Sequence, residues 1–240
     1  MDEIAAALAA ALRLLLELDP ELVGIVRLSL AVSASAVLLA GLVGLPLGAL
    51  LALARFPGRA ALVVLLNACM GLPPVVVGLF VYLTLSRAGP LGSLGLLFTP
   101  AAMVVAQTLL VLPIVAALTR QVVEDLWREY AEQFRSLDVG PLRAASALLW
   151  DGRLSLVTVL LAGFGRAAAE VGAVILVGGN IRGATRTMTT AITLETSRGD
   201  LALALGLGLV LVLIVTLVNA AAATLSGVAR RHAAAGTAAG

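Results

Sequence analysis

Five apolar runs, each long enough to cross a lipid bilayer, set the first limit on what this chain can become: residues 23–54, 60–85, 98–118, 154–177 and 201–225. A water-soluble domain has no place to hide so many. With 61% of its 240 residues hydrophobic and only 12% charged, the chain reads as one whose solvent is membrane. The first run can tilt, or begin at the interface near Arg27. Residues 1–22 carry Arg13 and Glu17 at helical spacing and are expected to form an interfacial helix. The acidic start Met1-Asp2-Glu3, with no small-residue cleavage site behind it, reads as a retained segment rather than a secretory leader.

The charged residues exclude several chemistries. Every basic residue is arginine and none is lysine, so the chain has neither a Walker-loop lysine for phosphate nor an amine for a Schiff base. If ATP drives this protein, another chain binds it. Cys69 and His232 are single residues far apart, which removes a disulfide framework and a Cys/His metal cluster and leaves Cys69 as a small buried hydrophobe. The arginines are scattered between apolar runs and make no basic stripe, which argues against nucleic acid as a partner. Placing the amino terminus outside puts nine arginines on the cytoplasmic side, six outside and Arg166 within a span, so the carboxyl terminus is expected in the cytoplasm. A sixth span at residues 5–18 would move only the amino terminus. Residues 226–240, mostly alanine and glycine, are expected to form a flexible tail.

Within the spans, Gly44 and Gly48, Gly163 and Ala167, and Ala202 and Gly206 are small residues at four-residue spacing, the pattern of closely packed helices. Pro46, Pro73, Pro74 and Pro113 remove backbone donors in or near spans. Such helices either line a cavity, where neighbours satisfy the freed carbonyls, or are merely kinked.

The one long polar stretch, residues 119–153, repeats apolar side chains at Val123, Leu126, Trp127, Tyr130, Phe134 and Leu137, the periodicity of an amphipathic helix. Asp138-Val-Gly140-Pro141 interrupts it, with Pro141 placed to open a second, short helix. The polar face mixes Glu124, Asp125, Arg128, Glu129, Glu132, Arg135, Arg143 and Asp151. It reads as a solvated surface or as a knob on which a partner pushes.

The segment from Glu132 to Gly140 resembles the cytoplasmic EAA loop of ABC importer permeases, whose form is Glu-Ala-Ala, three residues, then Gly. Glu132 matches, Gln133 and Phe134 replace the alanines, and Asp138 stands at the glycine. Asp138 is expected to serve the turn by bonding its own backbone, with Gly140 supplying the loose dihedral. The segment from Gly165 to Ile192 is similar to tungstate- and molybdate-type permeases, and Gly71-Leu-Pro-Pro-Val-Val-Val-Gly78 with Ser86-Arg-Ala-Gly-Pro-Leu-Gly92 to the tungstate branch.

The resemblance implies an all-α integral membrane fold, the transmembrane domain of a type I ABC importer, with about five spanning helices after an amphipathic amino-terminal helix. It implies a prokaryotic cell-membrane location, a permease domain over residues 23–225, a second copy of the chain, surrounding lipid and an external solute-binding protein. Two cytoplasmic ATPase subunits would carry ATP and Mg, and this chain would bind no cofactor. Glu132, Arg135, Asp138, Gly140 and Pro141 would couple to the ATPases. Pro73, Pro74, Gly78, Arg166, Glu170 and Asn180 would line or gate the path. Arg166 and Glu170, one helical turn apart in an apolar span, serve equally well as a charge pair that holds helices together. In the external loop, residues 178–200, Arg182, Thr185, Arg186 and Thr189 suit a tetrahedral oxyanion in passage, a docking binding protein, or an ordinary loop surface. A secondary transporter working alone, a membrane-embedded enzyme and an assembly factor are the rival readings. The first lacks an evident repeat and the second lacks a nucleophile–base pair.

Overall fold

The structure is a computed structural model that describes residues 2–238, with the side chains of residues 8–14, 16–225 and 227. Among the described residues the fold is all-α. In chain order the helices are α1 (Asp2–Leu16), α2 (Pro20–Leu53), α3 (Arg59–Met70), α4 (Pro74–Leu85), α5 (Pro100–Ser136), α6 (Pro141–Asp151), α7 (Arg153–Ala168), α8 (Gly172–Gly178), α9 (Met188–Arg198) and α10 (Leu201–Ala238). A single 3-10 turn, Gly92–Leu94, lies between α4 and α5. Among the described residues three helices are long and apolar enough to cross a membrane, and the count reaches five if each of two bent pairs is one span.

Two of the five apolar runs are interrupted. Residues 60–85 break into α3 and α4 with a bend of 99°. Pro73 and Pro74 supply no N–H to a continuing helix, and Pro73 is extended at φ −61° and ψ 126°, so the chain turns and restarts with Pro74 at its first turn. Residues 154–177 break at 169–171 into α7 and the seven-residue α8. The companion bend, 74°, lies between α6 and α7 at Gly152. Conversely, the third run and the amphipathic cytoplasmic helix are one uninterrupted 37-residue helix, α5, which passes through Pro113. The loop over residues 178–200 contains α9, and the backbone of α10 stays helical to Ala238, through most of the stretch expected to be a flexible tail.

The chain forms two compact units. The first comprises residues 1–36, 73–108 and 166–217. Its core is Leu22, Ile25, Met188, Ala191 and Leu207, which joins α2, α9 and α10. Here α4 packs on α8 at backbone contact: a Cβ on Gly78 would lie 2.6 Å from Ala173 Cα, and one on Gly172 would lie 2.8 Å from Val75 Cγ2. The second unit comprises residues 37–72, 109–165 and 218–240. In it α2 lies flat on α5, because a Cβ on Gly48 would lie 2.5 Å from the Ala116 carbonyl oxygen and 2.7 Å from Thr119 Cβ. Gly163 brings α7 against Val111 in the same way, at 2.9 Å. These are the close contacts that small residues at four-residue spacing permit.

Large apolar side chains remain uncovered on several helices, among them Leu38, Leu42, Val64, Phe80, Val212, Leu213 and Leu217. Only 17% of the apolar stretch of α10 is buried. A chain that leaves this much hydrocarbon outside its own core meets lipid or another apolar surface.

Candidate functional site

In the first unit the break between α7 and α8 gathers polar groups from several elements. Arg166, in the last turn of α7, donates to Glu170 Oε2 at 2.6 Å, while Glu170 Oε1 accepts the Ala173 N–H at 3.2 Å. Glu170 is buried at 4% exposure, and Arg166 reaches outward at 37%. The carbonyls at the break are bonded: that of Ala167 accepts the Glu170 N–H at 3.1 Å and Gln107 Nε2 on α5 at 3.0 Å, and that of Glu170 accepts Thr189 Oγ1 on α9 at 2.8 Å. A buried carbonyl without a partner is costly, so the Thr189 hydroxyl, with Gln107 adding a second bond at Ala167, helps a helix stop inside an apolar segment. Of the residues read as pathway or gate, Gly78 lies at this place through its contact with Ala173, and Pro73 and Pro74 set the direction of α4 against α8. Glu170 stands beyond the end of α7 rather than on it.

Asn180 follows the left-handed cap Gly179 and is itself left-handed at φ 51°. Its Nδ2 donates to the Thr190 carbonyl at 3.2 Å, and its buried Oδ1 has no partner. Thr185 and Thr189 do not present free hydroxyls. Thr185 Oγ1 donates to the Gly178 carbonyl at 2.5 Å and accepts the Ile181 N–H at 3.0 Å, while Thr189 is committed to Glu170. Thr187 and Thr190 form a capping box on α9. Threonines that sequence alone offers as ligands are thus spent on holding their own loop.

The arginines of this loop face a cavity of about 520 Å³ lined by Glu21, Gly24, Arg27, Leu28, Arg182 and Arg186, among others. Arg182 grips both carboxylate oxygens of Glu21, through Nε to Oε1 at 2.8 Å and Nη2 to Oε2. That hydrogen bonding, then the charge of Glu21, pushes the Arg182 guanidinium above its ordinary pKa. Arg186 is buried, sits between Glu195 at 3.2 Å and Glu21 at 3.4 Å, and has no partner on its Nε. Glu195 also takes Arg198 at 3.3 Å. Sequence reasoning found the arginines and missed Glu21, which lies 161 residues from Arg182. Only the fold joins them. Gln107, a lone amide within an apolar run, carried a signal that a search for ionisable groups passes over.

In the second unit, α5 ends in a charged elbow. The Asp138 N–H bonds to the Arg135 carbonyl at 3.2 Å and the Val139 N–H to that of Phe134 at 2.9 Å, the paired bonds of a Schellman stop. The left-handed residue in it is Asp138, at φ 49°, whereas Gly140 is ordinary extended backbone at φ −63°. The expected roles are therefore reversed. Asp138 stands at the glycine position of the motif and does the glycine's work with its backbone. Pro141 opens α6 as expected. Glu132 and Arg135 are exposed, as are Leu137 and Leu142, the last at 83%. Behind them Ala49, Val123 and Leu148 form a core, with Trp127 stacked on Phe134 at 5.7 Å between ring centroids. Glu124 does not belong to a solvated face. It is clamped by Arg59 and Arg120, each at 2.6 Å, and Arg59 Nε donates to the Leu51 carbonyl at 2.7 Å, which ties the end of α2 to α5.

Residues 44–231 match the family described as the binding-protein-dependent transport system inner membrane component. The tungstate uptake system permease protein TupB of Peptoclostridium acidaminophilum is 39% identical over 200 residues, 83% of this chain and 88% of that protein. A probable anion ABC transporter permease protein of Haloferax volcanii is 40% identical over 185 residues, 75% and 80% of the two chains. The molybdenum transport system permease protein ModB of Azotobacter vinelandii is 29% identical over 175 residues, 70% and 77% of the two.

Proposed function

The chain belongs to the family of inner membrane components of binding-protein-dependent transport systems, and from that premise we propose that it passes a tetrahedral oxyanion, tungstate in preference to molybdate. It is a multi-pass membrane permease of an ABC importer, not an enzyme, and ATP hydrolysis is performed by a separate chain. The preference for tungstate rests on the higher identity to the tungstate permease than to the molybdenum one.

Two copies assemble in lipid, with two ATPases below and the binding protein above. The amino-terminal part of α2 and the loop carrying Arg182 and Arg186 lie outside, and the carboxyl terminus lies in the cytoplasm. The ATPases grip the elbow formed by Glu132, Arg135, Asp138, Gly140 and Pro141, with exposed Leu137 and Leu142 entering their surface. The observation that carries this reading is α5, one helix of about 55 Å at 1.5 Å per residue, which runs from the membrane segment through Pro113 to the elbow. ATP binding by the partners shifts the balance between two packings of the helices, as differential affinity must. Arg166 and Glu170, with Gly78, Pro73, Pro74 and Asn180 around the α7–α8 break, form the gate.

The test is uptake of radioactive tungstate in membranes that contain permease, ATPase and binding protein. Reversing the elbow charges with Glu132→Arg and Arg135→Glu is expected to cut uptake at least tenfold, by disrupting charge-assisted contacts, while the permease still inserts. Wild-type uptake and ATPase activity in that double variant would remove the elbow from the coupling path.

A further inference from the structure

The cavity between α2 and the 182–186 loop has features that a structural salt bridge does not need. Three arginines line it against one glutamate. Arg186 is buried on its wall, and its Nε has neither carbonyl nor carboxylate to bond. Buried guanidinium nitrogens are normally satisfied, so the bare Nε marks Arg186 as a cation whose present carboxylate partners leave donor capacity unused. Arg27, on the same wall, is exposed and enters no ion pair among the described residues. Glu21 is shared by Arg182 and Arg186 rather than owned by one, and its Arg186 contact, at 3.4 Å, is long for a charged pair.

We propose that this cavity is a receiving site for the oxyanion, in which Glu21 acts as an internal stand-in that the anion displaces from Arg182 and Arg186, while Arg27 supplies the third cation that holds it. A carboxylate and a tetrahedral oxyanion present the same paired oxygens to a guanidinium fork, so one replaces the other without leaving either arginine bare. Arg186 keeps Glu195 throughout and is the fixed half of the site; Arg182, exposed, is the movable half. The cavity, about 520 Å³, has room for several waters at about 30 Å³ each beside the anion, so the anion enters with part of its hydration shell. Hydration and the competing Glu21 together keep residence short, which a transport step requires.

The inference rests on the reading of the chain as an oxyanion permease. It is tested on the permease–ATPase complex in phosphatidylcholine nanodiscs without binding protein, by titrating sodium tungstate calorimetrically. Glu21→Gln, which removes the internal competitor, is expected to tighten tungstate binding about tenfold, and Arg27→Gln to weaken it by a similar factor, the scale of one charge-assisted bond. Arg27→Gln changes an exposed side chain, so it reports even if the Glu21 variant fails to fold. Equal affinity in wild type and Arg27→Gln, or no binding by wild type at millimolar tungstate, overturns the proposal. Uptake driven by the binding protein is measured on the same proteins in vesicles. If wild type takes up tungstate but the affinities do not move, the receiving site is wrong and the permease reading stands; if uptake is absent, both fall.

Discussion

Asp138 holds a left-handed backbone without glycine's freedom, at a cost of about 1 kcal/mol that aspartate bears better than most residues. Asp138→Gly is therefore expected to raise the stability of the solubilised permease by roughly that amount, and Asp138→Val to lower it by more, since a β-branched side chain fits this region worst. Thermal unfolding followed by intrinsic fluorescence would check both, and a destabilised glycine variant would contradict the assignment. The same residue shows what sequence conveys and what it withholds. The motif located the turn, yet Gly140 drew the expectation of the unusual dihedral because glycine is its commonest bearer. Hydrogen bonds back to Arg135 and Phe134 decided otherwise. Arg186 is a similar case, since nothing in Thr-Arg-Thr distinguishes a buried guanidinium from an exposed one until Glu195 and Glu21 are brought to it.

At the scale of elements, helix contact depends on glycines whose missing side chains are filled by neighbouring backbone. Gly48→Leu would drive a side chain into the Ala116 carbonyl and Thr119, neither of which can retreat without moving α5, and is expected to cost about 3 kcal/mol. Gly208→Ala is the control. Nothing lies within 4 Å of its Cβ position, so it is expected to gain up to about 0.5 kcal/mol from helix propensity. Comparing the two melting temperatures in one detergent tests the contact, and equal losses would refute it. The apolar runs and the small-residue spacing made these helices legible. The breaks were less so: Pro73 and Pro74 announced a disturbance but not a 99° turn, and the interruption at 169–171 follows an alanine-rich stretch that favours helix. Tertiary bonds support the break: Thr189 serves the Glu170 carbonyl, and Gln107 joins the Glu170 N–H on that of Ala167.

For the whole molecule, the arrangement makes a topological prediction. In a Cys69→Ser background, a cysteine at Ser197, exposed near the end of α9, is expected to react with a membrane-impermeant thiol reagent added outside. One at Ser136, exposed at the end of α5, should react only after the membrane is opened. The opposite pattern would invert the permease and put its elbow beyond the reach of any ATP-hydrolysing partner. The expected orientation rests on arginine counting, nine on the cytoplasmic side against six outside, and the labelling pattern is its test.

Helix α5 has no interruption between Pro100 and Ser136. Its one weak point is Pro113, which supplies no N–H to the helix, so a load on the rod bends it there first.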